Sequence, residues 1–133
     1  MTQPLPKSDL VALQQETIRR EWLRRLRTEG RRQCVGLHMD KYDVIALVRD
    51  ARPSVIHAVC AIGLLGEIIH GPRWWERVER DRRINLLSIG TAAGLSPEQV
   101  QLVVHMNDGG VQFGSARRHS FRQIARVIER WFA

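Results

Sequence analysis

The sequence predicts an all-α fold, a compact bundle of about five to six helices, with room for one short β-hairpin near residues 111–119. Three observations carry that expectation. Apolar residues recur at three- and four-residue intervals through most of the chain. Helix-start phrases at Ser96-Pro97-Glu98 and Ser120-Phe121, and glycine stops at Gly71-Pro72 and Gly109-Gly110, bracket those runs. No region is strand-rich, of low complexity or internally repeated. At 133 residues with 44% hydrophobic content, the chain fits one domain with a real core. Residues 1–7, which hold two prolines, are expected to be a frayed, disordered N-terminus, and 8–133 a single helical domain.

The first helix is expected over Ser8–Glu29, with Ser8 as N-cap, Asp9 in the first turn and Gly30 as the stop. Leu10, Leu13, Ile18, Trp22 and Leu26 recur at helical spacing, and Glu16–Arg20 and Glu21–Arg25 are favourable pairs four residues apart. Arg31–Met39 reads as a connector. Asp40 then caps a short helix over Lys41–Ala51, with Val44, Ile45, Leu47 and Val48 inward. Arg52 precedes a proline and is pushed out of the helical region. Pro53-Ser54 opens an apolar helix that runs to His70 and stops at Gly71-Pro72.

A fourth helix starts near Arg73 and carries Trp74 and Trp75. Adjacent residues cannot share one helix face, so one indole is free to cover a partner, yet core packing is the expectation for both. A break is expected before Ile84. Ser96 caps the next helix, Pro97 takes its first position, and Asn107–Gly110 ends it. Val111-Gln112-Phe113 reads as a hairpin arm. Ser120 caps the final helix, which turns Phe121, Ile124, Val127, Ile128 and Trp131 inward.

The segment Ile84–Met106, INLLSIGTAAGLSPEQVQLVVHM, has the residue types of two helices joined by a tight turn. Gly90 stands where the helices cross and Gly94 in the turn. Ile89, Ala93, Leu95, Val100 and Val103 are the inward positions. This pattern resembles the helix-turn-helix of bacterial transcription regulators, departing from it at Gly90, where alanine is more usual. The resemblance implies that the second helix enters the major groove of double-stranded DNA. Its outward residues are then Glu98, Gln99, Gln101, Leu102 and His105. Glutamine can read adenine, histidine can contact phosphate or base, and Glu98 repels phosphate unless it accepts from a cytosine amino group. The helix has no arginine, so the basic contacts fall to neighbours: Arg80, Arg82 and Arg83 before it, and Arg117, Arg118, His119 and Arg122 after it. The competing reading is an ordinary helical corner. Gln99–Phe113 is also faintly similar to the D subunit of the flagellar master regulator, a family of helical dimers that act on promoters with a partner subunit; that similarity assigns no residues.

The formal charge of +7 favours an anionic partner. Only Lys7 and Lys41 of the 21 basic residues are lysine. Arginine's planar fork suits phosphate and guanine, though a GC-rich coding bias produces the same composition. On the first helix Arg19, Arg20, Arg24, Arg27, Arg31 and Arg32, with Arg25, could track a phosphate backbone, or form a solvated face balanced by Glu16, Glu21 and Glu29.

Cys34 and Cys60 make no disulfide framework. Cys34-x3-His38 and His57-x2-Cys60 together offer a Cys2His2 set, but an apolar helix is a more ordinary setting for core filling, and no metal or cofactor is expected. Val55–Ile69 is too short to span a bilayer. No signal peptide is visible, so a cytoplasmic protein without membrane contact is expected. There is no phosphate-binding glycine loop, nucleophile elbow or evident acid–base pair, and no enzymatic activity is expected.

The expected function is a small, basic, dimeric DNA-binding transcriptional regulator of a bacterium or mobile element, with double-stranded DNA and a second copy or a partner regulatory protein as partners. The alternative is a helical protein-interaction module, such as an anti-activator, a phage or mobile-element inhibitor, or a regulatory-complex subunit. It would use the apolar 53–70 helix, the tryptophans, and Gly63 and Gly66 as a close-approach surface. RNA binding ranks below both, because no single-strand stacking platform is evident.

Overall fold

Helix α1, Lys7–Thr28, is the longest element of the computed structural model, which describes residues 6–33, 58–76, 86–109 and 118–133. Its N-cap is Pro6, not Ser8. The extended Pro6 presents its carbonyl to the N–H groups of Asp9 and Leu10 and has no side-chain cap, which leaves Ser8 inside the first turn. Lys7, expected to be frayed, is therefore already helical. The first turns stand apart from the body, with Leu10, Val11 and Leu13 exposed, so the apolar spacing there does not mark a core face. From Gln15 onward the helix is tied to the body. Trp22 and Leu26 are buried, and the Trp22 indole N–H donates to the Ala61 carbonyl at 2.9 Å.

After α1 the chain extends through β1, Arg32–Gln33, which pairs in parallel with β2, Ala58–Val59, in the register Arg32↔Ala58 and Gln33↔Val59. This ladder corrects the expected 53–70 helix. Its last part is helical as α2, Ala61–His70, but 58–60 are extended and Cys60 is the N-cap, its Sγ accepting from the Gly63 N–H at 3.1 Å. A short apolar run is compatible with a buried strand as well as a helix, and the non-local pairing with β1 decides for the strand. The short 41–51 helix and the hairpin arm at 111–117 lie outside the described residues. His119, at the edge of that expected hairpin, instead donates its backbone N–H to the Met106 carbonyl.

Ala61 through Gly66 are buried on every side, as expected of a helix that is apolar all round. α2 contacts α1 together with α3, Leu86–Ala92, and α4, Pro97–Asp108; α5, Phe121–Trp131, closes the bundle against α1 and α4. A 3₁₀ turn at Gly71–Arg73 follows α2 and returns both tryptophans to it. A Cβ on Gly66 would lie 2.2 Å from Trp74 Cε2, and one on Gly63 would lie 2.9 Å from Trp75 Cη2. Both indoles are buried, and His70 stacks on Trp74 with ring centroids 5.2 Å apart. The two α2 glycines thus receive the chain's own tryptophans rather than another helix.

One buried polar node ties these elements. Asn107 Oδ1 accepts from the Ala61 N–H and from Gln33 Nε2, both at 3.0 Å, and Gln33 Nε2 also donates to the His119 carbonyl at 2.9 Å. The end of α4 is thereby fastened to the start of α2, to β1 and to the approach to α5. A pair of amides, Asn107 and Gln33, that joins these segments by hydrogen bonds specifies their relative register better than apolar contact does.

Candidate nucleic-acid interface

The α3–turn–α4 unit has the predicted framework. Ile89, Ala93, Leu95, Val100 and Val103 are all buried. The helices approach so closely that a Cβ on Gly90 would stand 2.1 Å from Val100 Cγ2. Alanine is too large at this crossing, which accounts for glycine there. Gly94 has φ of 83°, a left-handed conformation that side chains disfavour. Its N–H bonds to the Thr91 carbonyl, while the Leu95 N–H reaches back to Gly90. That hydrogen-bond pair closes the end of α3 as a Schellman turn. α4 then starts with a reciprocal capping box. The Gln99 N–H donates to Ser96 Oγ at 3.2 Å, and the Ser96 N–H donates to Gln99 Oε1 at 2.9 Å.

α1 buttresses the turn from outside. Gln15 Nε2 donates to the Thr91 carbonyl at 2.9 Å and an Arg19 nitrogen donates to the Ala93 carbonyl at 3.0 Å. The Arg19 guanidinium also lies 3.7 Å from the centre of the Phe132 ring. These contacts hold the carbonyl end of α3 and leave the outer side of α4 open.

On that outer side Pro97, Glu98 and Gln101 are exposed, and Gln99, Leu102 and His105 are half-buried. Of the residues predicted to read bases, Gln101 faces solvent. The Gln99 carbonyl oxygen is committed to the cap, and His105 is partly enclosed. Arg118 is exposed and donates to the Gln33 carbonyl at 3.3 Å, and Arg122 is exposed on the second residue of α5. The Met106–His119 backbone bond places these two arginines near the C-terminal end of α4. Arg80, Arg82, Arg83 and Arg117 lie outside the described residues.

The arginines of α1 do not form an open phosphate track. Arg20 pairs with Glu16 at 2.7 Å, Arg24 pairs with Glu21, and Arg27 pairs with Glu129 of α5. Arg31 binds Glu29 at 2.7 Å and Glu67 of α2 at 2.5 Å, with Arg25 completing the cluster at 3.4 and 3.8 Å from the same two carboxylates. Five arginines therefore meet five glutamates. The side-chain and backbone hydrogen bonds from Arg31 hold the Glu29 carboxyl down to about 2, against the cost of burying it. Burial opposes the charge on Arg31, but its bonds to Glu29 and Glu67 outweigh that and raise its pKa further. Arg32 is exposed, with no acidic partner among the described residues.

Sequence reading named Arg122 but missed the rest of a cationic surface on α5, Arg126 and Arg130. Arg122, Arg126 and Arg130 are all exposed and recur every four residues. They lie opposite the buried Phe121, Ile124, Ala125 and Ile128, and no ion pair neutralises them among the described residues. The spacing was visible in FRQIARVIERW, but only pairing elsewhere distinguishes these arginines from those of α1.

Among the described residues no group of three or more His, Cys, Asp or Glu side chains is placed to hold a metal. Cys60 is buried as a helix cap, while Cys34, His38 and His57 lie outside the described residues. No helix among the described residues is long and apolar enough to cross a membrane. Compared with protein-family models, curated proteins and solved structures, the chain matches none.

Proposed function

We propose that the chain is a small DNA-binding transcriptional regulator that presents α4 to the major groove of duplex DNA. The observation that carries this reading is the α3–turn–α4 unit. Its crossing is too tight for any side chain at residue 90, its turn is closed on a left-handed Gly94, and its second helix is capped and open on one side. The excess of arginine supplies the general attraction to phosphate that such binding needs. Gln101 is the side chain best exposed to meet a base edge.

The interaction-module alternative drew on the apolar 53–70 segment, the paired tryptophans and the α2 glycines. Ala61–Gly66, Trp74 and Trp75 are all consumed within the chain's own core, which favours the DNA reading. Dimerisation belongs to the same proposal and is supported by the exposed Leu10, Val11 and Leu13.

The test is selection from a random duplex library. The reading expects enrichment of a defined site, and Gln101→Ala should relax preference at one base pair by roughly 1–3 kcal/mol, the worth of a good bidentate contact. Absence of duplex binding at low salt, or binding with no enriched sequence, would overturn it.

A further inference from the structure

We infer that the outer face of α5, through Arg122, Arg126 and Arg130, is the surface that grips the phosphate backbone of duplex DNA; this rests on the DNA-binding reading above. At 1.5 Å rise per residue, successive arginines stand about 6 Å apart along the helix, and the three fall within an arc of about 80°. They form one stripe about 12 Å long, with one arginine for each of up to three phosphates of one strand. Arg118, also exposed, extends the positive charge beyond the helix start.

Two features single this stripe out from ordinary surface charge. First, its charges are placed against helix stability. Arg122–Arg126 and Arg126–Arg130 are like-charge pairs four residues apart, each unfavourable by about 0.2–0.5 kcal/mol. The nearest acidic residue of the helix, Glu129, is taken by Arg27. Second, α4 has no arginine and exposes Glu98, so a phosphate grip has to come from another element. Among the described residues α1 offers little of it, because its arginines are matched by carboxylates or, for Arg19, held at the α3 turn and over Phe132. Arginine's fork makes two hydrogen bonds to one phosphate, which compensates the repulsion along the stripe when DNA is bound.

The experiment measures affinity for a random-sequence duplex across a salt series. The wild type is compared with Arg122→Gln/Arg126→Gln/Arg130→Gln and with Lys7→Gln/Arg20→Gln/Arg24→Gln, which loses the same charge from α1. Each lost phosphate contact should lower the slope of log K against log salt by about 0.9. The α5 variant is therefore expected to lose roughly 2 to 3 from the slope, with thermal unfolding unchanged or slightly raised. The α1 variant should keep the wild-type slope to within about 1. Steep wild-type binding with an unaltered slope in the α5 variant, or an equal loss in both variants, overturns the assignment to α5 and leaves the DNA reading standing. A wild type that fails to bind duplex DNA at low salt, including one that binds only vesicles of anionic phospholipid, overturns both.

Discussion

Helices α1 and α5 lie against each other and are both rich in arginine, yet they use it in opposite ways. On α1, glutamates stand three or four residues from Arg20 and Arg24, and Glu29, Glu67 and Glu129 take up Arg25, Arg27 and Arg31. On α5, arginine follows arginine at the same interval and the one acidic side chain faces α1. The first helix is tied into the fold by its charges, and the second carries charges the fold does not use. Net charge alone conceals that difference: a formal +7 is spread over the whole chain in the sequence, whereas among the described residues the cations of α1 are largely paired and those of α5 are not.

The contrast can be broken most strongly at Glu29. Its side chain is only 8% exposed, and it anchors two arginines. Glu29→Gln should destabilise the protein by about 2 kcal/mol in urea unfolding, below the 3–5 kcal/mol of a fully buried broken pair because Arg25 and Arg31 retain some solvent. No loss of stability would mean that the α1 cluster is not structural. The same carboxylate sets an acid response. Its folded pKa of about 2 lies below the ordinary 4.5, so its contribution is complete above pH 4.5 and disappears as the pH falls towards 2. The urea midpoint of the wild type should drop over that window, and the drop should be smaller in Glu29→Gln.

A smaller effect is expected where the two helices meet. Arg27 and Glu129 are both nearly half exposed, and a double-mutant cycle should return about 0.2–1 kcal/mol of coupling. The smallest effect should have the opposite sign. Arg126→Gln relieves two like-charge pairs and should raise stability by a few tenths of a kcal/mol, on the order of 0.2–0.5 per pair. A destabilised Arg126→Gln would show that this arginine serves the fold after all, erasing the distinction between the helices.

Much of the candidate interface was legible before any tertiary contact was known. Ser96 and Ser120 cap their helices through the Gln three residues on, Gly94 makes the turn, and the inward positions around it are buried as their spacing predicts. Each of these features depends on residues within a few positions of one another. Gln99 shows the limit of that logic. Its type and position suit base reading, but its carbonyl oxygen closes the cap. Gly63 and Gly66 show another: small residues four or fewer apart signal a close approach, yet not whose side chains arrive. Leu10 and Leu13 keep helical spacing beyond the point where the body can cover them.

The sequence by itself determined the helical class, the span of α1, the α3–turn–α4 unit and the cap of α5, because periodicity and capping are short-range properties of the chain. Only the tertiary structure decided that 58–59 would pair with 32–33 instead of extending α2, that Trp74 and Trp75 would fill the glycine faces, and which arginines would remain available. Those outcomes join residues far apart in the chain, as Arg31 joins Glu67 and Arg27 joins Glu129. Charge is conserved on folding, but its neutralisation is settled by proximity in space, and that is what leaves, among the described residues, most arginines of α1 paired and those of α5 unpaired.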